Sequence, residues 1–204
     1  MEYKIKTFTK ERTVMVNKVI DRESLEKFKT DINKIVREDE EIVEENVMAL
    51  NALQYGLGDE YRRKVKYPPI ILDITSPGGY CLEGTSFYDI LRDMNDKKIH
   101  PVHCVMSGCI ASMATFIVLG CDVRKIHKNT SVCVHSIGDG EIGKIQKHRD
   151  NLEEMERISN RLHEIYYKHT KLTREQVEEI DKLQKDWWFD SEKALELGFA
   201  TEII

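Results

Sequence analysis

Residues 70–94 read IILDITSPGGYCLEGTSFYDILRDM. The apolar run IILDIT (70–75) is of the kind found in buried strands of parallel sheets. Two glycines close the turn that follows, SPGG (76–79). After the turn, Leu82, Phe87, Ile90, Leu91 and Met94 recur at helical spacing. The stretch is thus a strand, a tight turn and a helix. The pattern then repeats. PVHCVM (101–106) reads as a strand, CIASMATFIVLG (109–120) as a helix, and CDVRKIH (121–127) and SVCVH (131–135) as strands. Strands alternating with helices predict βαβ units and an α/β fold with a mainly parallel sheet.

Upstream, TVMVNKVI (13–20) reads as a short strand, and SLEKFKTDINKIVR (24–37) as a helix. The acidic run EDEEIVEEN (38–46) reads as a solvated face or loop. VMALNALQYG (47–56) predicts a separate helix ending at Gly56 or Gly58. The segment of about 37–67, acidic and then basic, looks like an insertion. Downstream, Ile142, Ile145, Leu152, Met155, Ile158, Leu162 and Ile165 form an apolar stripe over 141–169. A helix of that length is roughly 40 Å long, more than such a domain is wide. Its far end is expected to project or to meet a partner. Thr173-x-x-Gln176 is a capping-box start. SEKALEL (191–197) predicts a short helix stopping at Gly198, and FATEII a final strand. One domain over 1–204 is expected.

Composition narrows the function. A net charge of −5 over 204 residues leaves no basic footprint for nucleic acid. The start, MEYKIKTFTKER, is polar, so no signal peptide is read there. No apolar run approaches the ~20 residues of a membrane span. Five cysteines without CxxC spacing, mostly in apolar runs, read as free buried thiols of a reducing, cytoplasmic setting.

Two strand-to-helix turns could carry chemistry. The paired glycines of Ser76-Pro77-Gly78-Gly79 let backbone N–H groups approach a ligand, and a helix start favours negative charge there. The second turn runs from Ser107 to Met113 and would put Ser112 in the first turn of its helix. Ligands of open α/β sheets bind at the C-terminal edge of the strands, so both turns are expected to face one crevice. A serine nucleophile and free backbone N–H groups together suit acyl transfer. The serine needs a base. His135, at the end of an apolar strand beside a Gly-rich turn, is the candidate, with His103 inside the preceding strand. His100, His127, His148, His163 and His169 read as surface residues. Asp186, beside Trp187, Trp188 and Phe189, is expected to be partly buried and to need a partner.

With these residues in place the chain resembles the proteolytic subunit of Clp protease, the ClpP serine peptidase family, as a divergent member. Four features carry the resemblance over nearly the whole chain. They are SPGG after an apolar strand; Gly108-x-x-Ala111-Ser112-Met113 after the next; VCVH ending at His135; and the pattern of Asp186, Trp188, Glu192, Ala194, Glu196 and Gly198. The resemblance implies Ser112 as nucleophile, His135 as general base and Asp186 as the residue orienting it. It implies an oxyanion hole from the backbone N–H groups of Gly79 and Met113. It further implies a crotonase-like spiral of βαβ units with 141–169 as a projecting handle helix, and no metal or cofactor. The partners it implies are other copies of the chain in heptameric rings that stack in pairs, an AAA+ Clp ATPase, and peptide or unfolded-protein substrates. The chain departs from the family pattern after His135, where Ser136-Ile137 replaces Gln-Pro. It departs again before Asp186, where Gln184-Lys185 replaces an acid–arginine pair. Two alternatives share parts of this pattern: a catalytically silent subunit of a mixed ring, and a crotonase-like acyl-CoA enzyme.

Overall fold

The computed structural model describes residues 5–138 and 144–204. The elements are β1 (Thr13–Val16), α1 (Arg22–Leu53), α2 (Leu57–Lys64), β2 (Ile70–Ser76), α3 (Cys81–Lys97), β3 (Val102–Ala111) and α4 (Met113–Val118), followed by β4 (Arg124–Ile126), β5 (Ser131–Val134), α5 (Ile145–His169), α6 (Arg174–Leu183), β6 (Trp187–Phe189), α7 (Ser191–Leu197) and β7 (Glu202–Ile203). The parallel path runs β1-β2-β3-β4-β7; β5 joins β3, also in parallel, and β6 joins β5 antiparallel. This is the expected α/β architecture of βαβ units around a mainly parallel sheet.

The sheet buries one face more fully than the other. Ile70, Leu72, Ile74 and Ser76 of β2 are buried, whereas Ile71, Asp73 and Thr75 between them are only partly so. The apolar run at 70–75 is therefore a strand with one dry face and one half-covered face. Helices α1 and α3 lie together over the core, where the rings of Phe28 and Phe87 are 4.5 Å apart.

β3 determines the layout around the second turn. Its register against β2 slips between Ile74↔Met106 and Ser76↔Ile110, so β3 carries extra residues there. Gly108 sits in that bulge at φ 62, with Thr75 Oγ1 2.9 Å from where a Cβ would be. A bulge bends and re-aims a strand. Before it β3 pairs with β4 (Cys104↔Arg124), and beyond it with β5 (Cys109↔Ser131). The strand therefore continues to Ala111, and the helix expected over 109–120 is confined to Met113–Val118.

The N-terminal third differs from the sequence reading. The helix at 24–37, the acidic run and the helix at 47–56 are one continuous helix, α1, of 32 residues. Its buried stripe continues through the acidic run as Asp39, Val43, Asn46 and Val47. Two of those residues are polar and are satisfied by distant chain. Arg12 clamps the Asp39 carboxylate, with Nη2 2.9 Å from Oδ2, and also donates to the Pro68 carbonyl at 2.8 Å. Asn46 accepts from the Lys6 N–H at 2.8 Å and donates to the Lys6 carbonyl at 2.9 Å. Val43 and Val47 each add about 1.5–3 kcal/mol by burial. Glu40, Glu41, Glu44 and Glu45 form the solvated face. The basic stretch after Gly56 is a second helix, α2, packed back on α1.

His100 is buried rather than superficial. Its ring packs at a tilt against Tyr67, with centroids 4.0 Å apart, and brings Nε2 to 3.3 Å from Asp39. α5 behaves as its length suggested: of its 25 residues only Leu162 and Tyr166, near its C-terminal end, are buried. Ile145 and Leu152 are exposed on the part that extends away from the core. Residues 141–143 of the expected helix lie outside the described residues. The capping box Thr173–Gln176 and the Gly198 stop are as expected. All five thiols are free, but only Cys104, Cys121 and Cys133 are buried; Cys81 and Cys109 are partly exposed. No helix among the described residues is long and apolar enough to cross a membrane.

Candidate active site

Ser112 stands between β3 and α4 as the N-cap of the helix, one residue before the first turn expected for it. Its backbone has φ 54 and ψ −127. An L-residue in that region costs of order 1–3 kcal/mol and persists only where its surroundings over-determine it. They do so here from three directions. The Ser112 N–H donates to the Cys133 carbonyl of β5 at 2.9 Å. The Ser112 carbonyl accepts from the Thr115 N–H at 3.0 Å and from Thr115 Oγ1 at 2.7 Å. Thr115 has then used its only proton, so the Tyr166 hydroxyl, 2.7 Å away, donates to it. Tyr166 comes from α5 and stacks on Phe116 with centroids 4.1 Å apart. Burial raises the pKa of its phenol, which keeps it protonated as that donor. The strained serine is thus held by a fully buried relay from the long helix.

The glycine turn lies directly against it. A Cβ on Gly78 would stand 2.5 Å from Ser112 Cβ and 3.0 Å from Met113 N. Gly78 also has φ 99, a conformation open to glycine and strained for other residues. Its carbonyl accepts from the Ile20 N–H, and the Tyr80 N–H donates to the Ile20 carbonyl, both at 2.8 Å. These two bonds tie the turn to Ile20, in the segment between β1 and α1, on either side of Gly79. The N–H groups of Gly79 and Met113 donate to no described residue. Both residues line one cavity with Ser112 and His135. Two donors free of structural duty beside a serine hydroxyl could receive an oxyanion.

His135 follows the last residue of β5, and its Nδ1 is 2.6 Å from the Ser136 carbonyl. With the proton on Nδ1 and donated there, Nε2 is left as an acceptor. Asp186 immediately precedes β6. The β5–β6 ladder pairs Val132 with Phe189, Cys133 with Trp188 and Val134 with Trp187. One further step of that register sets His135 opposite Asp186. No hydrogen bond joins His135 to Asp186 or to Ser112 among the described residues. Asp186 is exposed, contrary to the burial expected beside the two tryptophans, because the chain emerges from α6 at this point before Trp187 turns inward. Its charge is nonetheless felt in the sheet. Burial first, and then Asp186, lifts the Cys133 thiol to about 11.

The cavity has a volume of about 310 Å³. Its near wall carries Gly79, Ser112, Met113 and His135. The opposite wall is built by α5 and α6, with Leu162, Tyr166, Val177 and Ile180 apolar and His163 and Asp181 polar. His163 Nε2 is 3.1 Å from Asp181 Oδ2 and 3.2 Å from Ser159 Oγ. His163 thus lines a cavity rather than the surface expected for it, and Asp181 lies outside the residues expected to carry chemistry. The available signal was positional: Ser159 and His163 are one turn apart on α5, and Asp181 follows the buried Ile180 on α6. His103 points away from this site, on the half-covered face of β3 before the bulge.

A family model described as Clp protease matches residues 62–204. The match spans β2 to β7 and includes every residue of this cavity.

Proposed function

The chain belongs to the Clp protease family, and on that premise we propose that it is a serine endopeptidase. Ser112 is the nucleophile, His135 the general base and Asp186 the group that orients the imidazole. The observation that carries this reading is the strained Ser112, set in one cavity with His135 and two unengaged backbone N–H groups. Ser112 Oγ attacks the scissile carbonyl while His135 Nε2 takes its proton. The Gly79 and Met113 N–H groups receive the developing oxyanion. His135 then protonates the leaving amine, and water releases the acyl group by the same steps in reverse.

The same reading includes assembly of copies into a ring-shaped chamber that an ATPase feeds with unfolded chains. Support comes from the exposed Ile145 and Leu152 on α5, which suit a contact between copies. A second reading, a silent subunit, is favoured by one observation: His135 Nδ1 is engaged by the Ser136 carbonyl and not by Asp186. Treatment with an alkyl fluorophosphonate and mapping of the adduct separates the two. Labelling of Ser112, abolished in His135→Ala, is the expected result. An unlabelled Ser112 in the assembled particle overturns the peptidase reading. Native mass spectrometry tests the chamber, which requires a ring-sized oligomer.

A further inference from the structure

The cavity beside Ser112 is lined mostly by apolar residues of α5 and α6, together with one carboxylate. Among the described lining residues, Asp181 is the one acid, and none is Lys or Arg. One carboxylate oxygen, Oδ2, faces His163; the other makes no hydrogen bond or ion pair among the described residues. Asp181 keeps 36% of its side-chain exposure although it lines the cavity. Burial first, and then Cys133 and Asp181, raise the pKa of the Tyr166 phenol. Tyr166 in turn touches Thr115, which holds the Ser112 carbonyl. A path therefore runs from the nucleophile, along Phe116, Leu162 and Tyr166, to an acid with an open acceptor.

We propose that this cavity receives the side chain of the residue whose carbonyl Ser112 attacks, and that Asp181 makes it select an apolar stem ending in a cation, as in lysine or arginine. The proposal rests on the peptidase reading above and names the substrate class for that site. The methylenes of lysine or arginine match the apolar wall, and the charged tip reaches the open carboxylate oxygen. An acidic side chain would meet a like charge in a partly desolvated hollow.

The test uses peptidyl diphenyl phosphonates identical except for a lysine-like, leucine-like or glutamate-like side chain next to phosphorus. In each, Ser112 Oγ bonds to phosphorus, the P–O bond to one phenoxide breaks, and phenol leaves with the serine proton. No turnover is needed. The wild-type protein is expected to react at least about tenfold faster with the lysine-like than with the glutamate-like reagent. Asp181→Asn should bring that ratio to within about threefold, and Asp181→Lys should invert it. A merely structural Asp181 would lower all three rates together, and that result overturns the proposal. So does a wild-type protein that does not discriminate. A fluorophosphonate without a side chain is the control. Ser112 labelled by it but without lysine preference overturns the specificity alone; Ser112 unlabelled overturns the peptidase reading and the specificity with it.

Discussion

A side chain on Gly78 would begin 2.5 Å from the Cβ of Ser112. Two turns more than thirty residues apart are pressed together there, with no room between them. Gly78→Ala is expected to force them apart and to strain a backbone at φ 99. The cost is about 1–3 kcal/mol, together with loss of most Ser112 labelling. Thermal unfolding and adduct mass spectrometry measure both. Normal labelling in a folded Gly78→Ala protein would refute the close approach.

Asp186 is exposed, so Asp186→Ala should leave stability within about 0.5 kcal/mol of wild type. If Asp186 orients His135, acylation of Ser112 should nevertheless fall at least about 100-fold. Parallel denaturation and labelling kinetics separate the two effects. An unchanged rate would favour the silent-subunit reading.

The relay from Tyr166 through Thr115 to the Ser112 carbonyl can be cut at either step. Tyr166→Phe removes one hydrogen bond and should cost about 1 kcal/mol. Thr115→Ala strands the buried Tyr166 hydroxyl and should cost about 1–3 kcal/mol. Because both act on one chain, the double variant should lose less than the sum. Urea unfolding of the four proteins tests this, and strict additivity would count against the relay.

Arg12 and Asp39 are both buried, and each satisfies the other. Removing only Arg12 leaves a carboxylate in the core, for an expected loss of about 3–5 kcal/mol. Replacing both by apolar residues should restore much of it. Denaturant midpoints for Arg12→Ala and for the Arg12→Met, Asp39→Leu pair give the comparison.

His169 accepts from or donates to the Tyr88 hydroxyl at 2.8 Å. Burial first, and then Arg92, Lys168 and Arg124, holds its pKa down at about 4. Between the ordinary pKa near 6.5 and about 4, the unfolded chain binds the proton and the folded chain does not. Stability from this group is therefore complete above pH 6.5 and is lost as pH falls toward 4. For a half-buried group screened by solvent the loss is about 1–2 kcal/mol. His169→Gln should flatten the stability profile across that window; an unchanged slope would exclude His169 as its source.

Strand and helix order was legible wherever signals were local. β2, α3, the capping box at Thr173 and the stop at Gly198 are each specified by a few adjacent residues. The turn glycines and Ser112 stood out for the same reason, since such residue types seldom sit together at strand ends without cause. The reading was less accurate where partners lie far away. The acidic run reads as a solvated face or loop, and nothing near it in sequence reveals that Asp39 faces Arg12 or that Asn46 faces Lys6. The bulge at Gly108 was hidden likewise: it exists because β3 changes neighbours from β4 to β5.

The amino-acid sequence by itself determined the βαβ layout, the two strand-to-helix turns and the residue types that can perform acyl chemistry, because these follow from short-range periodicity and turn stereochemistry. Only the tertiary structure decided that Gly78 touches Ser112, that the β5–β6 register brings His135 and Asp186 to the same end of a ladder, and that Asp181 of α6 lines the cavity of a serine some seventy residues earlier. Those relationships depend on packing between segments distant in sequence, which no local pattern encodes.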